Sequence, residues 1–409
     1  MLKRNTVYKL CELNQNLLLI VYFVLTIEYE LYNFFKFGSL ISGTVLTWIE
    51  ILVLLIIIVT SLRKITNQCI IYILLLAGIL WTYLCYPMCR SILYELFGEG
   101  SCIKKIFLLP LAFQCIDDPQ KFSNKLYKLA ILEGYIHVLS NLIWGYGYNQ
   151  WGVFNYMTFG MALITPTCIV MQRAFEKPTK FNIISVIIFE LNIVLYAHRG
   201  ALLVTIIMLL IYFNKYINVN RKIVIILFGL LAIILLALFK IQIIQAAINI
   251  MNSYGIESRT LEKMLTGDIT NDSERSLIWS YMAISIMKNF PFGTGIGSDR
   301  LLLAHSMREG LYAHNFVFEF CVDFGIVIGI GLTIWIFKMI INILTKIDNE
   351  GWYRLIVPLF IPSVLTLLTS SSIYQYWIFW SALSLYHCYF SKILRYNNLR
   401  ISYKKRRLK

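Results

Sequence analysis

Residues 309–337 read EGLYAHNFVFEFCVDFGIVIGIGLTIWIF. From Phe316 onward the run is apolar enough and long enough to be a membrane helix. Yet it opens on His314-Asn315 and carries Glu319 and Asp323 among apolar residues. Ionisable groups in such a segment are costly, so each implies a partner or a function. Glu319 and Asp323 are four apart and share one helix face. They line a cavity or pair with a cation inside the membrane.

Outward from this stretch, the same character recurs along the chain. Of the 409 residues, 58% are hydrophobic and only 14% are charged, where about a quarter is usual for soluble proteins. Twelve candidate spans can be placed, near 14–34, 40–62, 67–87, 103–117, 127–146, 152–171, 181–197, 200–217, 222–240, 314–337, 353–370 and 373–392. The expected fold is therefore an all-α polytopic membrane protein, a single integral membrane domain over residues 1–409. The fourth span is the weakest, with Lys104 and Lys105 at one end and Pro110 in its middle. No internal repeat is visible. The basic N-terminus is followed by a long apolar run with no small-residue cleavage site, which reads as an uncleaved anchor.

The net charge of +15 raises nucleic acid as a partner, and its placement argues against one. Lys and Arg gather in short loops and in the tail KKRRLK, as expected where basic residues fix membrane orientation. Such a tail meets anionic lipid. With the N-terminus in the cytoplasm, most of the 37 basic residues fall on the cytoplasmic side. The short outer loops then keep Lys36, Arg90, Lys104, Lys105 and Arg199. Both termini are expected in the cytoplasm. The nine cysteines show neither CxxC pairing nor metal-type spacing and read as small packing residues; no metal and no cofactor are expected.

Residues 241–313, between the ninth and tenth spans, are expected to form one large extracytoplasmic loop. A loop of this length in a compact protein is usually functional. Within it, SERSLIWSYMAISIMKN (273–289) has apolar residues at helical spacing and predicts an amphipathic helix. The following GTGIGS (293–298) lacks the strand-turn-helix context of a dinucleotide site. It reads as a turn, with backbone N–H groups open to an anion as one possible use.

Three elements meet on the predicted outer face: Arg199 in YAHRGALL, Arg275 at the head of the loop helix, and His314-Asn315. Paired guanidiniums suit phosphate or diphosphate oxygens. Histidine is the side chain suited to accept a proton near neutrality. Simpler readings stand beside these: Arg199 snorkelling to headgroups, Arg275 paired with Glu274, Asp272 or Glu262, and His314 as an interfacial helix-start residue. Glu133 and His137, also four apart, read as a buried polar pair or part of an acceptor path. Tyr148, in the outer loop GYGYNQW (145–151), is either a ring that stacks on a sugar or part of an interfacial aromatic belt.

At these places the chain resembles the O-antigen polymerase and O-antigen ligase family of bacterial polysaccharide assembly. HRGALL is similar to its Arg-Gly motif opening a span. SERSLIWSYMAISIMKNFPFGTGIGS is similar to its Arg, Trp and Pro-x-Gly-x-Gly run, and HNFVFEFCVDFG to its His-centred motif. The likeness covers roughly residues 181–340. Ligase-type members often carry a polar or His residue before the His-Asn pair, where this chain has Ala313, which leans the reading toward polymerase. The resemblance implies a metal-independent glycosyltransferase in the bacterial cytoplasmic membrane, with its active site outside. Its donor and acceptor would be polyprenyl-diphosphate-linked oligosaccharides, and a chain-length regulator protein is a further implied partner. Arg199 and Arg275 would hold the diphosphate, and His314 would deprotonate the attacking hydroxyl. Asn315, Glu319, Asp323 and Tyr148 would line the substrate site. A ligase acting on finished chains and a flippase of the same pathway are the competing functions. A flippase often has repeated halves.

Overall fold

The computed structural model describes residues 2–28, 43–61, 69–98, 103–145, 156–195, 199–218, 240–253, 265, 274–307 and 309–407. Every regular element among them is helical: α1 (Leu2–Thr26), α2 (Gly43–Thr60), α3 (Cys69–Cys85), α4 (Arg90–Phe97), α5 (Leu109–Phe113), α6 (Pro119–Gly145), α7 (Tyr156–Glu176), α8 (Lys180–Leu195), α9 (Arg199–Tyr216), α10 (Lys240–Ser253), α11 (Arg275–Lys288), α12 (Ser298–Ser306), α13 (Phe316–Phe324), α14 (Ile326–Lys346), α15 (Glu350–Thr369) and α16 (Trp377–Arg407). A 3₁₀ turn at Pro87–Cys89 and a π-helical turn at Ile103–Leu108 complete the set.

Among the described residues, α9, α14 and α15 are long and apolar enough to cross a membrane. The pair Tyr72–Cys85 and Pro87–Phe97 would make a fourth if counted as one span, but it bends by 114°. The all-α membrane class thus holds. The predicted ninth span falls almost wholly outside the described residues. The predicted tenth span, 314–337, is redrawn. Gly325 has φ 86 and breaks the helix there, so α13 is a separate two-turn piece and the spanning helix starts at Ile326. The predicted fourth span is a π turn followed by the five-residue α5. Its awkward Lys104 is fully buried and paired with Glu50 of α2, which is also buried.

The chain divides into two compact units. The first comprises residues 1–22, 41–123 and 275–409. At its centre is α15, buried along nearly its whole length. Asn349 caps it by accepting the Trp352 N–H at 3.1 Å. Tyr22 of α1 packs edge-on against Phe113 and Trp377. Tyr72 meets Ser384 through their hydroxyls.

The second unit comprises residues 23–40 and 124–274. It is a packed group of α6, α7, α8 and α9 laced by buried polar contacts. Asn141 donates to Asn192 at 2.5 Å, and the Thr205 hydroxyl donates to Glu190 at 3.0 Å. Glu133 and His137 lie 3.9 Å apart, both buried, as the pair reading expects. Such contacts hold helices together where lipid offers no hydrophobic drive between them.

Candidate active site

The site in the first unit is built around the entry to α13. Asn315 is its N-cap, accepting the Val317 N–H at 2.9 Å, while its amide donates to the Leu368 carbonyl at 3.2 Å. His314, just before it, has φ 53, a left-handed conformation that non-glycine residues adopt only where neighbours enforce it. The neighbours are identifiable. Asp299 Oδ2 accepts the Ala313 N–H at 2.9 Å, and Trp279 Nε1 donates to the Ala313 carbonyl at 3.1 Å. Ala313 is fully buried among Ile278, Met282, Leu303 and Val322.

The imidazole is fixed as well. Its Nδ1 lies 3.4 Å from the Ser370 carbonyl, which also accepts the Tyr312 hydroxyl at 2.7 Å. The Tyr312 and His314 rings lie in contact, tilted by 38°, with centroids 3.8 Å apart. A carbonyl only accepts, so in the neutral ring the proton sits on Nδ1 and the lone pair on Nε2. Burial lowers the His314 pKa below its usual value. Arg275 and Arg300 lower it further, against opposing contributions from Ser370 and Asp299. A neutral imidazole with a defined tautomer can accept a proton through Nε2. Burial also pushes the Tyr312 phenol up to about 12, so it remains a donor.

Arg300 organises the floor of the site. Its guanidinium reaches Asp299 at 3.3 Å and Glu319 at 3.5 Å, donates to Ser372 Oγ at 3.1 Å, and lies over the Tyr312 ring. Burial opposes its charge, but Asp299, Glu319 and Asp323 together outweigh that and raise its pKa. Glu319 accepts from the Ser372 hydroxyl and from the Ile373 N–H at 3.0 Å. Asp323 accepts from Tyr374 at 2.7 Å and from the Gly297 N–H at 3.2 Å. The cation that pairs with the Glu319 face is thus Arg300. Sequence reading left Arg300 among the loop charges. The available signal was that two acids in an apolar segment, Glu319 and Asp323, require a nearby cation.

The glycine run does not present an anion nest. Thr294 N–H donates to the Val322 carbonyl at 2.8 Å, Gly295 N–H to the Asp323 carbonyl at 3.0 Å, and Ile296 N–H to Thr82 Oγ1 at 3.1 Å. With Gly297 on Asp323, these donors are consumed in tying the run to α3 and α13. The approach is backbone to backbone. A Cβ on Gly293 would sit 2.2 Å from the Asp323 carbonyl oxygen, and one on Gly325 the same distance from that of Pro291.

Arg275 heads α11, half-buried, and its charge acts on both Tyr312 and His314. Arg199 heads α9 in the second unit and is exposed. Tyr148 lies outside the described residues. Among the described residues, no group of three His, Cys, Asp or Glu side chains is placed to hold a metal.

Residues 183–336 match the family model described as O-antigen ligase. The matched region, less than half of the chain, contains Arg199, Arg275 and His314 and is similar to that family. No curated protein and no solved structure matches the chain.

Proposed function

We propose that the chain is a membrane glycosyltransferase that polymerises polyprenyl-diphosphate-linked repeat units into a surface polysaccharide at the outer face of the cytoplasmic membrane. The observation that carries this reading is His314, held in its left-handed turn with Nδ1 on the Ser370 carbonyl and Nε2 left to accept, inside the region of family likeness. His314 Nε2 takes the proton of the acceptor sugar hydroxyl as its oxygen attacks the anomeric carbon of the donor. The bond from that carbon to the diphosphate oxygen breaks, and polyprenyl diphosphate leaves. Arg275 binds the diphosphate and stabilises the charge it gains. Glu319 and Asp323 act beneath the surface, holding Arg300 and the glycine run. The lean toward polymerase over ligase rests on Ala313, which stands where ligase-type members often carry a polar or His residue.

The test is the lipid-linked glycan of cells lacking this chain, recorded by length and membrane side. Single repeat units stranded outside are the expected result. Long lipid-linked chains outside would mean ligation, and single units held inside would mean a flippase.

A further inference from the structure

The predicted amphipathic helix at 273–289 is not amphipathic. Between Arg275 and Lys288, α11 carries no charged residue. Ile278 and Met282 face inward onto Leu303, Ala313 and Val322, with Trp279 and Ile286 packed beside them. The opposite side is apolar too: Leu277, Ile284 and Met287 are exposed, and Phe290 and Phe292 extend this apolar edge beyond the helix end. Met287 is 70% exposed and Phe292 75%, values that in water would leave a large uncovered apolar edge. Ser276 and Ser280 are the exposed polar residues between Arg275 and Lys288, and a helix with apolar side chains on both sides and so little polarity belongs in a protein core or in lipid.

Two further observations point to lipid. The Ser280 hydroxyl on the outer side donates to the Leu277 carbonyl at 2.7 Å, so it is satisfied within its own helix. The second is continuity with a spanning helix. The Pro291–Phe292 backbone abuts Gly325, the residue from which α14 starts. The first turns of α14 expose Val327, Ile328 and Ile330, the surface a spanning helix shows to acyl chains. Phe292 therefore lies level with the end of a membrane span. At about 1.5 Å per residue, 14 residues reach only about 21 Å, too short for a hydrocarbon core of about 30 Å.

We propose that α11 and the turn after it are embedded in the outer-leaflet side of the bilayer without crossing it, with Leu277, Ile284, Met287, Phe290 and Phe292 covered by phospholipid acyl chains. Lys288, exposed at the end of α11, reaches to the headgroups. The expected extracytoplasmic loop 241–313 then contains a membrane-resident element. This holds whether or not the chain is a polymerase.

The test uses the full chain in phosphatidylglycerol–phosphatidylcholine vesicles with radiolabelled lipid. p-Benzoylphenylalanine replaces Met287 or Phe292, with Val327 as the lipid-facing reference and Glu309 as the water-facing one. After photolysis, lipid adducts at 287 and 292 should match the yield at 327. Yields no higher than at 309, or adducts to protein in place of lipid, would overturn the proposal. All four positions are exposed. If a variant at 287 fails to accumulate, replacement of Ile284 on the same edge gives the same readout.

Discussion

Asp299 accepts the N–H of Ala313 at 2.9 Å, and Ala313 delivers the chain into the left-handed turn at His314. The same carboxylate lies 3.3 Å from Arg300. One fully buried side chain thus holds both the backbone of the candidate base and the cation beneath it. Asp299→Ala would strand a buried N–H, at about 1–3 kcal/mol. It would also weaken the pairing of a buried guanidinium, for which losses reach about 3–5 kcal/mol when a partner is removed. Asp299→Asn keeps an acceptor for Ala313 and loses only the charge. Thermal unfolding in detergent should show a large drop for Asp299→Ala and a smaller one for Asp299→Asn; equal drops would mean the Ala313 bond contributes nothing.

A base at His314 has a pH signature. Burial lowers its pKa below the usual histidine value, which favours the neutral imidazole. Activity should be flat near neutrality and fall only as pH drops through that lowered value. The stability linkage has the same sign. Folding favours the neutral ring, so the His314 contribution is complete above the unfolded pKa and is lost as pH falls through the folded one. His314→Gln should remove the acid limb and slow turnover by about 10²–10⁴. An unchanged limb in that variant would assign it to another group.

Gly325 and Gly293 are predicted to be intolerant for different reasons. Alanine at Gly325 meets φ 86 as well as the Pro291 carbonyl; alanine at Gly293 meets the Asp323 carbonyl and the Gly325 nitrogen but no such φ. Strain at such a φ costs about 1–3 kcal/mol, and forced overpacking about as much again. Gly325→Ala should therefore lower the unfolding temperature more than Gly293→Ala, as read by thermal unfolding of the detergent-solubilised chain. The reverse order would mean that backbone conformation matters less than the close approach.

The all-α membrane class was legible because apolar runs of spanning length state it directly. The break at Gly325 was not, because glycine inside an apolar run reads as tolerated. What requires it is a backbone contact with Pro291, distant in sequence. Glu319 and Asp323 were legible as anomalies, but Arg300, their organiser, was hidden in a nine-residue helix that the sequence presents as loop. The supposed amphipathicity of α11 failed for a different reason. Its inner stripe at Ile278 and Met282 has the right period, yet Leu277, Ile284 and Met287 fill the face that should have been polar.

If Arg275 grips a diphosphate with its planar fork, charge alone will not replace it. Arg275→Lys keeps the cation and loses the paired hydrogen bonds. Removing one such donor from a developing anion costs about 10²–10³ in turnover. Polymer length on gels from cells carrying Arg275→Lys should collapse toward single units, while membrane insertion is kept. Normal long polymer would reduce Arg275 to a surface charge.

Lys104 and Glu50 offer a test of the weakest predicted span. Both are buried, Lys104 also lies 3.3 Å from Thr47 Oγ1, and the pair ties the π turn at 103–108 to α2. Lys104→Met leaves the Glu50 carboxylate buried without its cation, a change that costs about 3–5 kcal/mol. Glu50→Leu alone strands the ammonium at similar cost. The double variant removes both charges and replaces them with apolar groups, which is often neutral or stabilising for buried pairs. The double variant should therefore unfold at a higher temperature than either single one, a non-additivity that marks direct coupling. Strict additivity of the two single effects would mean that the pair does not join the π turn to α2 in the membrane.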